Sequence, residues 1–334
     1  MSKQFRPSTS NIVGVDLTKY KVVDRNVFAF DPMSVIRVHK VPIAINDTND
    51  PIIVSPAYYT FEVIDSFQLL PQYLMMWFQR TEFDRYADFK SDAAVRGGYD
   101  WDELCNTPIY IPSITRQREI VSEYETLTNR IHLNNQMIQH LEATAQALYR
   151  KTFVDNIDKE NLPEGWRMGT LGEVAKIVTG KLNSEDAVEN GMYPFFTCSQ
   201  ETYRTNSYAF DQEAVLLAGN NASAIYPLKI YNGKFNAYQR TYVISSLHQT
   251  ISNKHLYYAI KDKLEDFKGS SQGTTTKFLT IKILDEIPVI IPNVESFINF
   301  SPHMDTLYNN LSIFREENEK LTELQSLLLA KMGQ

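Results

Sequence analysis

The stretch Pro108-Ile-Tyr-Ile-Pro-Ser-Ile-Thr-Arg-Gln-Arg-Glu-Ile-Val121 opens a segment whose apolar positions recur by sevens. Ile120, Leu127, Asn134, Leu141 and Leu148 are seven apart, and Tyr124, Ile131, Ile138, Ala145 and Thr152 interleave with them. These are the two seam series of a heptad repeat, the signature of a long helix that pairs along one stripe. The segment returns 180 residues later. Pro288-Val-Ile-Ile-Pro292 repeats the opening, and Thr126/Thr306, Leu127/Leu307, Asn129/Asn309, Leu141/Leu321, Leu148/Leu328 and Lys151/Lys331 are identical at the same offset. The second copy carries Phe300, Leu307, Phe314, Leu321 and Leu328, with Met304, Leu311, Asn318, Gln325 and Met332 between them. One such stripe alone suits a core-facing helix of a bundle. Two matched stripes, each about 55 Å long at 1.5 Å per residue, favour a coiled coil.

Outward from the helices lie two mixed, strand-rich segments, 1–112 and 156–292. Short β-like runs include Val27-Phe-Ala-Phe30, Tyr59-Thr-Phe-Glu-Val63, Ala214-Val-Leu-Leu217 and Thr241-Tyr-Val-Ile244. Asn190-Gly191 and Asn232-Gly233 have the composition of hairpin turns. Each segment then has a short helix, over 71–80 and 253–261, followed by a polar loop and a last strand running to the proline-marked junction. The expected class is α+β. The expected order is globule (1–112), long helix (113–155), globule (156–292) and long helix (293–334). For the second helix to bury its stripe on the first it must run back antiparallel, giving a pseudo-two-fold rod with a globule near each end.

The 334 residues carry a net charge of −7 and are 43% hydrophobic and 22% charged, an ordinary globular balance for two or three domains. The charge argues against a general DNA coat but not against reading by local patches. Cys105 and Cys198 are too few and too far apart for a disulfide scaffold or a zinc knuckle. No apolar run reaches 18 residues and the start has no apolar signal region, so a cytoplasmic protein without membrane contact is expected. Catalytic signatures are missing. There is no Gly-x-Gly-x-x-Gly and no His-Glu-x-x-His. Asn-Pro-Pro and Asp-Pro-Pro are absent, Gly172…Gly180-Lys181 is spaced wrongly for a phosphate loop, and the six histidines are scattered. No metal site and no catalytic residue are expected.

Two polar loops stand in matching places of the repeat. One is Lys268-Gly-Ser-Ser-Gln-Gly-Thr-Thr-Thr-Lys277, with Ser271, Gln272, Gly273, Thr274, Thr275 and Lys277 as candidate DNA contacts. The other is Lys90-Ser-Asp-Ala-Ala-Val-Arg-Gly-Gly98, with Lys90, Arg96 and Gly97. A third stretch, 229–240, offers Lys229, Asn232, Lys234, Gln239 and Arg240. Glycines let backbone amides approach phosphates, hydroxyls donate to phosphate oxygens, and amide or basic side chains reach base edges. Each stretch also reads as a plain flexible loop, and recurrence at matching places favours the binding reading.

The order of these features resembles the specificity subunits of type I restriction-modification systems. Leu162-Pro-Glu-Gly-Trp-Arg-Met-Gly-Thr-Leu-Gly-Glu-Val-Ala-Lys-Ile-Val-Thr-Gly180 is similar to the opening of that family's target recognition domain. Ser271-Gln-Gly-Thr-Thr-Thr-Lys-Phe-Leu279 is similar to its loop before the final strand, and the Pro108–Val121 stretch to the start of its conserved helix. The resemblance implies two target recognition domains held apart by two antiparallel helices, each reading half of a split site on double-stranded DNA. It implies no catalysis and no cofactor in this chain. Modification (methyltransferase) subunits would bring S-adenosylmethionine and methylate adenine. Restriction subunits would translocate and cleave with ATP and Mg, in DNA methylation and phage defence. A truncated or silent recombination cassette of the same family that never forms an active complex, a non-DNA coiled-coil scaffold and an undetected enzyme are the alternatives.

Two departures follow from the alignment of the copies. Asn293-Val-Glu-Ser-Phe-Ile-Asn299 lacks the Gln-Arg-Glu pattern of the first junction. Asp24–Phe30 matches Asp211–Leu217 at an offset of 187, so Met1 falls near position 188 of the second copy. The first domain is therefore expected to be incomplete at its N-terminal side. The seams also suggest a register. Asn134 and Asn318 are polar positions in largely apolar series. If they face each other, opposed residues sum to 452, which also pairs Ala145 with Leu307, Leu148 with Met304 and Tyr124 with Leu328.

Overall fold

The computed structural model describes residues 3–5, 16–33, 39–92, 99–155, 157–221, 226–269 and 277–333. They divide into two compact units, residues 1–137 with 313–334, and residues 138–312.

The first unit begins with β1 (Lys21–Val23), β2 (Phe28–Phe30), β3 (Ile43–Ile45), β4 (Ile52–Val54) and β5 (Tyr59–Phe61). β2 lies between β3 and β5, antiparallel to both, and β1 pairs with β4. Alternation along β2 decides the packing. Phe28 and Phe30 enter a core with Leu74, Met75, Trp77 and Phe78, while Ala29 enters a smaller one with Val23 and Val54. Leu74–Phe78 belong to α1 (Pro71–Gln79), which carries proline near its start, where the missing N–H has no helical partner to lose. α2 (Thr81–Asp92) and α3 (Trp101–Cys105) follow. The expected polar loop after α1 is thus partly helical. Phe83 and Ala87 are buried on one face of α2, at the i, i+4 spacing of a helix stripe.

The first long helix, α4 (Ile114–Phe153), has 40 residues. Ser113 Oγ accepts from Arg116 N at 3.4 Å, a long N-terminal cap. Buried Gln117 locks the helix start: its Nε2 donates to Gln68 O (2.8 Å) and Pro112 O (2.9 Å), and its Oε1 accepts from Leu70 N (2.9 Å).

The second unit continues with β6 (Arg167–Thr170), α5 (Leu171–Val174), β7 (Ala175–Thr179), β8 (Tyr193–Phe196), β9 (Thr202–Thr205), β10 (Phe210–Ala218), β11 (Asn220–Asn221), β12 (Leu228–Ala237) and β13 (Thr241–Ser246). Then come α6 (Asn253–Gly269), β14 (Lys277–Phe278), α7 (Ile281–Asp285), β15 (Pro288–Ile291) and α8 (Val294–Lys331). Six strands form one sheet in the order β7-β13-β10-β12-β8-β9, with only β12–β8 parallel. β10 is buried on both faces. Val215 and Leu217 join α6 (Leu256, Ala259, Ile260) and helix residues Tyr149, Phe153, Phe300 and Met304; Ala214 and Leu216 join Phe196, Phe235 and Val243. Ala145 is buried in the first of these cores, and Leu148 and Leu307 pack against it.

Asn232-Gly233 is not a hairpin turn but lies inside β12, Gly233 at φ 131° opposite Gln212. Continuous pairing with β10 overrides the local turn composition, and glycine supplies the positive φ. Asn190 and Gly191 form a turn before β8 without positive φ. Gly191 is required by close approach instead, since a Cβ there would stand 2.5 Å from Thr205 N.

α8 is capped by Asn293, whose Oδ1 accepts from Ser296 N at 2.9 Å; the repeat thus places caps at 113 and 293. Pro302 lies inside α8, where it removes one backbone donor.

Candidate nucleic-acid interface

The second unit gathers part of the candidate set at the β12–β13 turn. Gln239 and Arg240 are exposed there. Gln239 N donates to Leu182 O (3.0 Å), which brings exposed Lys181 beside the turn. Gly180, just before it, leaves no room for a side chain, as a Cβ would lie 2.0 Å from Ala237 O. Gly219 N donates to Arg240 O (2.8 Å), Leu279 N to Gly219 O (2.9 Å), and Asn221 pairs with Lys277 across β11–β14. A short relay of backbone contacts thus ties Lys181, Gln239, Arg240 and the backbone of Lys277 to one edge of the unit. Lys181 is the residue the sequence reading missed. In the sequence its Gly-Lys pair resembles only a misspaced phosphate loop.

Three other candidates do not share one surface. Alternation along β12 places Lys229 on the opposite strand face from Asn232 and Lys234. Lys229 Nζ donates to Glu201 O (3.1 Å) and Thr202 Oγ1 (2.9 Å) and lies over the Phe196 ring. Burial lowers its pKa from the ordinary lysine value, partly opposed by Glu201. Asn232 and Lys234 are exposed, but their cross-strand neighbours are Glu213 and Asp211, and Lys234 stacks over Tyr208 at 4.8 Å. Ser271, Gln272, Gly273, Thr274 and Thr275 lie outside the described residues, as do Arg96 and Gly97 in the first unit. Lys90, on α2, pairs with Glu103 at 3.6 Å and lies over Tyr86.

The helix seam of the first unit contains a polar layer. Asn134 is 1% exposed and its Nδ2 donates to Asn318 Oδ1 at 3.0 Å. Asn318 Nδ2 donates to Asn135 Oδ1 (2.9 Å), Gln325 Nε2 to Thr128 Oγ1 (2.8 Å), and Arg130 holds Glu317 through two bonds of 2.8 and 3.1 Å. The Arg130 guanidinium lowers the Glu317 pKa, and Asn134 adds to the shift. Tyr124 and Leu328 pack against one cluster with buried Ile120, Val121 and Met332.

Among the described residues there is no group of three or more His, Cys, Asp or Glu placed to hold a metal, and no helix long and apolar enough to cross a membrane. His255 is the most perturbed histidine. It is fully buried among Tyr149, Phe153 and Phe300, and desolvation pushes its pKa down to about 3, against a small opposing effect of the Ile290 backbone. A neutral histidine walled by aromatic rings is a core residue, not a proton-transfer group.

The exposed basic turn, the polar segment that ends at Lys277 and most of α8 lie in a stretch that matches the type I restriction modification DNA specificity domain. The match covers residues 163–323. The chain is also similar to two curated specificity subunits. It is 35% identical over 163 residues to the type I restriction enzyme EcoDI specificity subunit of Escherichia coli, a match covering 49% of this chain and 36% of that protein. It is 22% identical over 299 residues to the MjaIX specificity subunit of Methanocaldococcus jannaschii, covering 79% of this chain and 68% of that one. The first match therefore spans about a third of its relative. Among solved structures, the S subunit of a type I restriction-modification system from M. genitalium shares the fold, with a TM-score of 0.57, 16% identity, and coverage of 100% of this chain and 88% of that one. The specificity-domain match holds β6 to β15 of the second unit and most of α8.

Proposed function

We propose that this chain is the sequence-specific DNA recognition subunit of a type I restriction-modification complex. It reads a split site with two target recognition domains and positions the methyltransferase and restriction subunits. The observation that carries the reading is the coincidence of the specificity-domain match with a unit whose exposed basic and amide residues, Lys181, Gln239 and Arg240, share one edge with the strand ending the 268–277 stretch. The domains are 1–112, the first target recognition domain; 113–155, the first helix; 156–292, the second target recognition domain; and 293–334, the second helix.

In this reading the Arg240 guanidinium and the Gln239 and Gln272 amides address base edges. Lys181, Lys277 and the hydroxyls of Ser271, Thr274 and Thr275 hold phosphates, and Lys90 and Arg96 do the same in the first domain. Lys229 supports the sheet beneath them. With a net charge of −7 the chain alone binds DNA weakly and with steep salt dependence, and the partner subunits complete the positive channel. The chain holds no cofactor. S-adenosylmethionine serves the modification subunits, and ATP and Mg the restriction subunits, all in the cytoplasm. The test is co-expression with the cognate modification subunit in a methylation-free host, followed by sequencing of modified adenines. A bipartite methylated motif, absent when this chain is omitted, is expected. Methyl transfer by the chain alone, or a co-purified complex that marks no defined sequence, would overturn the reading.

A further inference from the structure

Lys254 stands at the second position of α6 and is nine-tenths buried. Its Nζ lies 2.6 Å from Glu213 Oε2 and 2.9 Å from Asp305 Oδ1, over the ring of Tyr308. Glu213 belongs to β10, the strand between β12 and β13, and Asp305 to α8. One ammonium thus joins the sheet that carries the Arg240 turn, the helix that leads into the 268–277 stretch, and the long helix. Asn253 braces the same corner: its Nδ2 donates to Glu213 O (3.0 Å) and its Oδ1 accepts from Ser246 N (2.7 Å) at the end of β13.

The repeat supplies a control inside the same chain. In the first unit Gln72, at the matching position of α1, donates through Nε2 to Asn26 Oδ1 at 3.3 Å. Asn26 is the counterpart of Glu213 at the offset of 187 that aligns β2 with β10. A neutral amide pair therefore suffices to close this corner. Asp305 is half exposed and Glu213 partly so, and ion pairs at the surface or in the interior add little net stability over neutral replacements, so the charge in the second unit calls for another role. Three charges fix an orientation more tightly than one amide contact.

We propose that Lys254 is a positioning residue that sets the angle of the β10–β12–β13 sheet on α8, and so the base preference in the half-site read through the Arg240 turn. The inference rests on the DNA-recognition reading above. Two variants test it in the complete complex with its modification subunit. Lys254→Gln with Glu213→Asn transplants the chemistry of the first unit, and Lys254→Met removes the charge while keeping the stem. The readouts are the methylated motif and the thermal midpoint of the complex. Base preference should relax by about tenfold in one half-site, with the other half-site and the spacer unchanged. An unaltered motif overturns the proposal. So does proportional loss in both halves, or failure of both variant complexes to assemble, because each assigns Lys254 to stability instead. A wild-type complex that yields no bipartite motif would instead remove the DNA-recognition reading itself.

Discussion

The two units solve the same local problems with different chemistry. Where the first closes a corner with Asn26 and Gln72, the second uses Glu213, Lys254 and Asp305. Where Tyr73 of α1 donates its hydroxyl to Tyr110 O at 3.0 Å, α6 has His255, whose two buried ring nitrogens make no hydrogen bond among the described residues. At the helix starts, Pro112 O accepts from Gln117 in one unit and Pro292 O from Thr250 in the other, at 2.9 Å each. Contact positions outlast the residues that make them. The geometry needs a polar group reaching a particular carbonyl, and several side chains meet that need.

The clearest divergence is at the strand before each long helix. β15 pairs with β6, and Ile290 and Ile291 are 8% and 4% exposed. The matching Tyr110 and Ile111 have no ladder partner among the described residues and are 53% and 48% exposed. Truncation should sharpen this contrast most. Ile291→Ala, which opens a cavity in the core of the second unit, should cost about 2–5 kcal/mol of unfolding free energy. Ile111→Ala removes half-exposed surface and should cost less than about 1 kcal/mol. Equal losses in chemical denaturation would mean that Ile111 is covered in solution, and would break the comparison.

His255 gives the next effect, and its sign follows from linkage. Its pKa is about 3 in the folded chain against an ordinary value of 6.5, so between these limits the unfolded chain binds a proton that the folded one does not. Stability contributed by the neutral ring is full above pH 6.5 and is lost as pH falls toward 3. At pH 5 the loss is about 2 kcal/mol. His255→Tyr copies the first unit's choice at Tyr73 and should flatten the pH dependence of the denaturation midpoint between pH 7 and 5. An unchanged slope would place the acid sensitivity elsewhere.

Much of this architecture is legible in the sequence, and the reasons for the gaps are specific. α4 and α8 declare themselves because seam residues recur over several heptads, a signal that local propensity cannot mimic. β10 and β13 are legible as apolar runs. α2 is harder to see, since Thr81, Glu82, Asp84 and Arg85 look like a loop and only Phe83, Tyr86 and Ala87 carry the helical stripe. The candidate interface is less legible still. Lys229 and Lys234 sit close together in a basic, aromatic stretch, yet five residues along a strand put them on opposite faces. Lys181 lies far from Arg240 in sequence, and backbone pairing of residues 180–182 with 237–241 brings them together.

The smallest effect concerns the polar layer of the first unit, which has no obvious counterpart among the aromatic contacts of the second. There Phe153 meets Phe300 with ring centroids 4.8 Å apart. Asn134 is almost fully buried, whereas Asn318 retains some exposure, so the two amides depend on each other unequally. Replacing Asn318 by leucine strands the buried amide of Asn134 and should cost about 1–3 kcal/mol. Asn134→Leu leaves Asn318 with Asn135 and water as partners, and should cost about 1 kcal/mol or less. The double variant replaces both polar groups by a leucine layer matching the rest of the seam. It should recover most of the loss, because an apolar layer has no unmet hydrogen bond. A double-mutant cycle in denaturant measures this directly: the coupling should be favourable by about 1–3 kcal/mol. Simple additivity of the two single losses would show that the amides act independently. The pairing would then be incidental to helix register, and the layer no more than a solvated gap in an apolar seam.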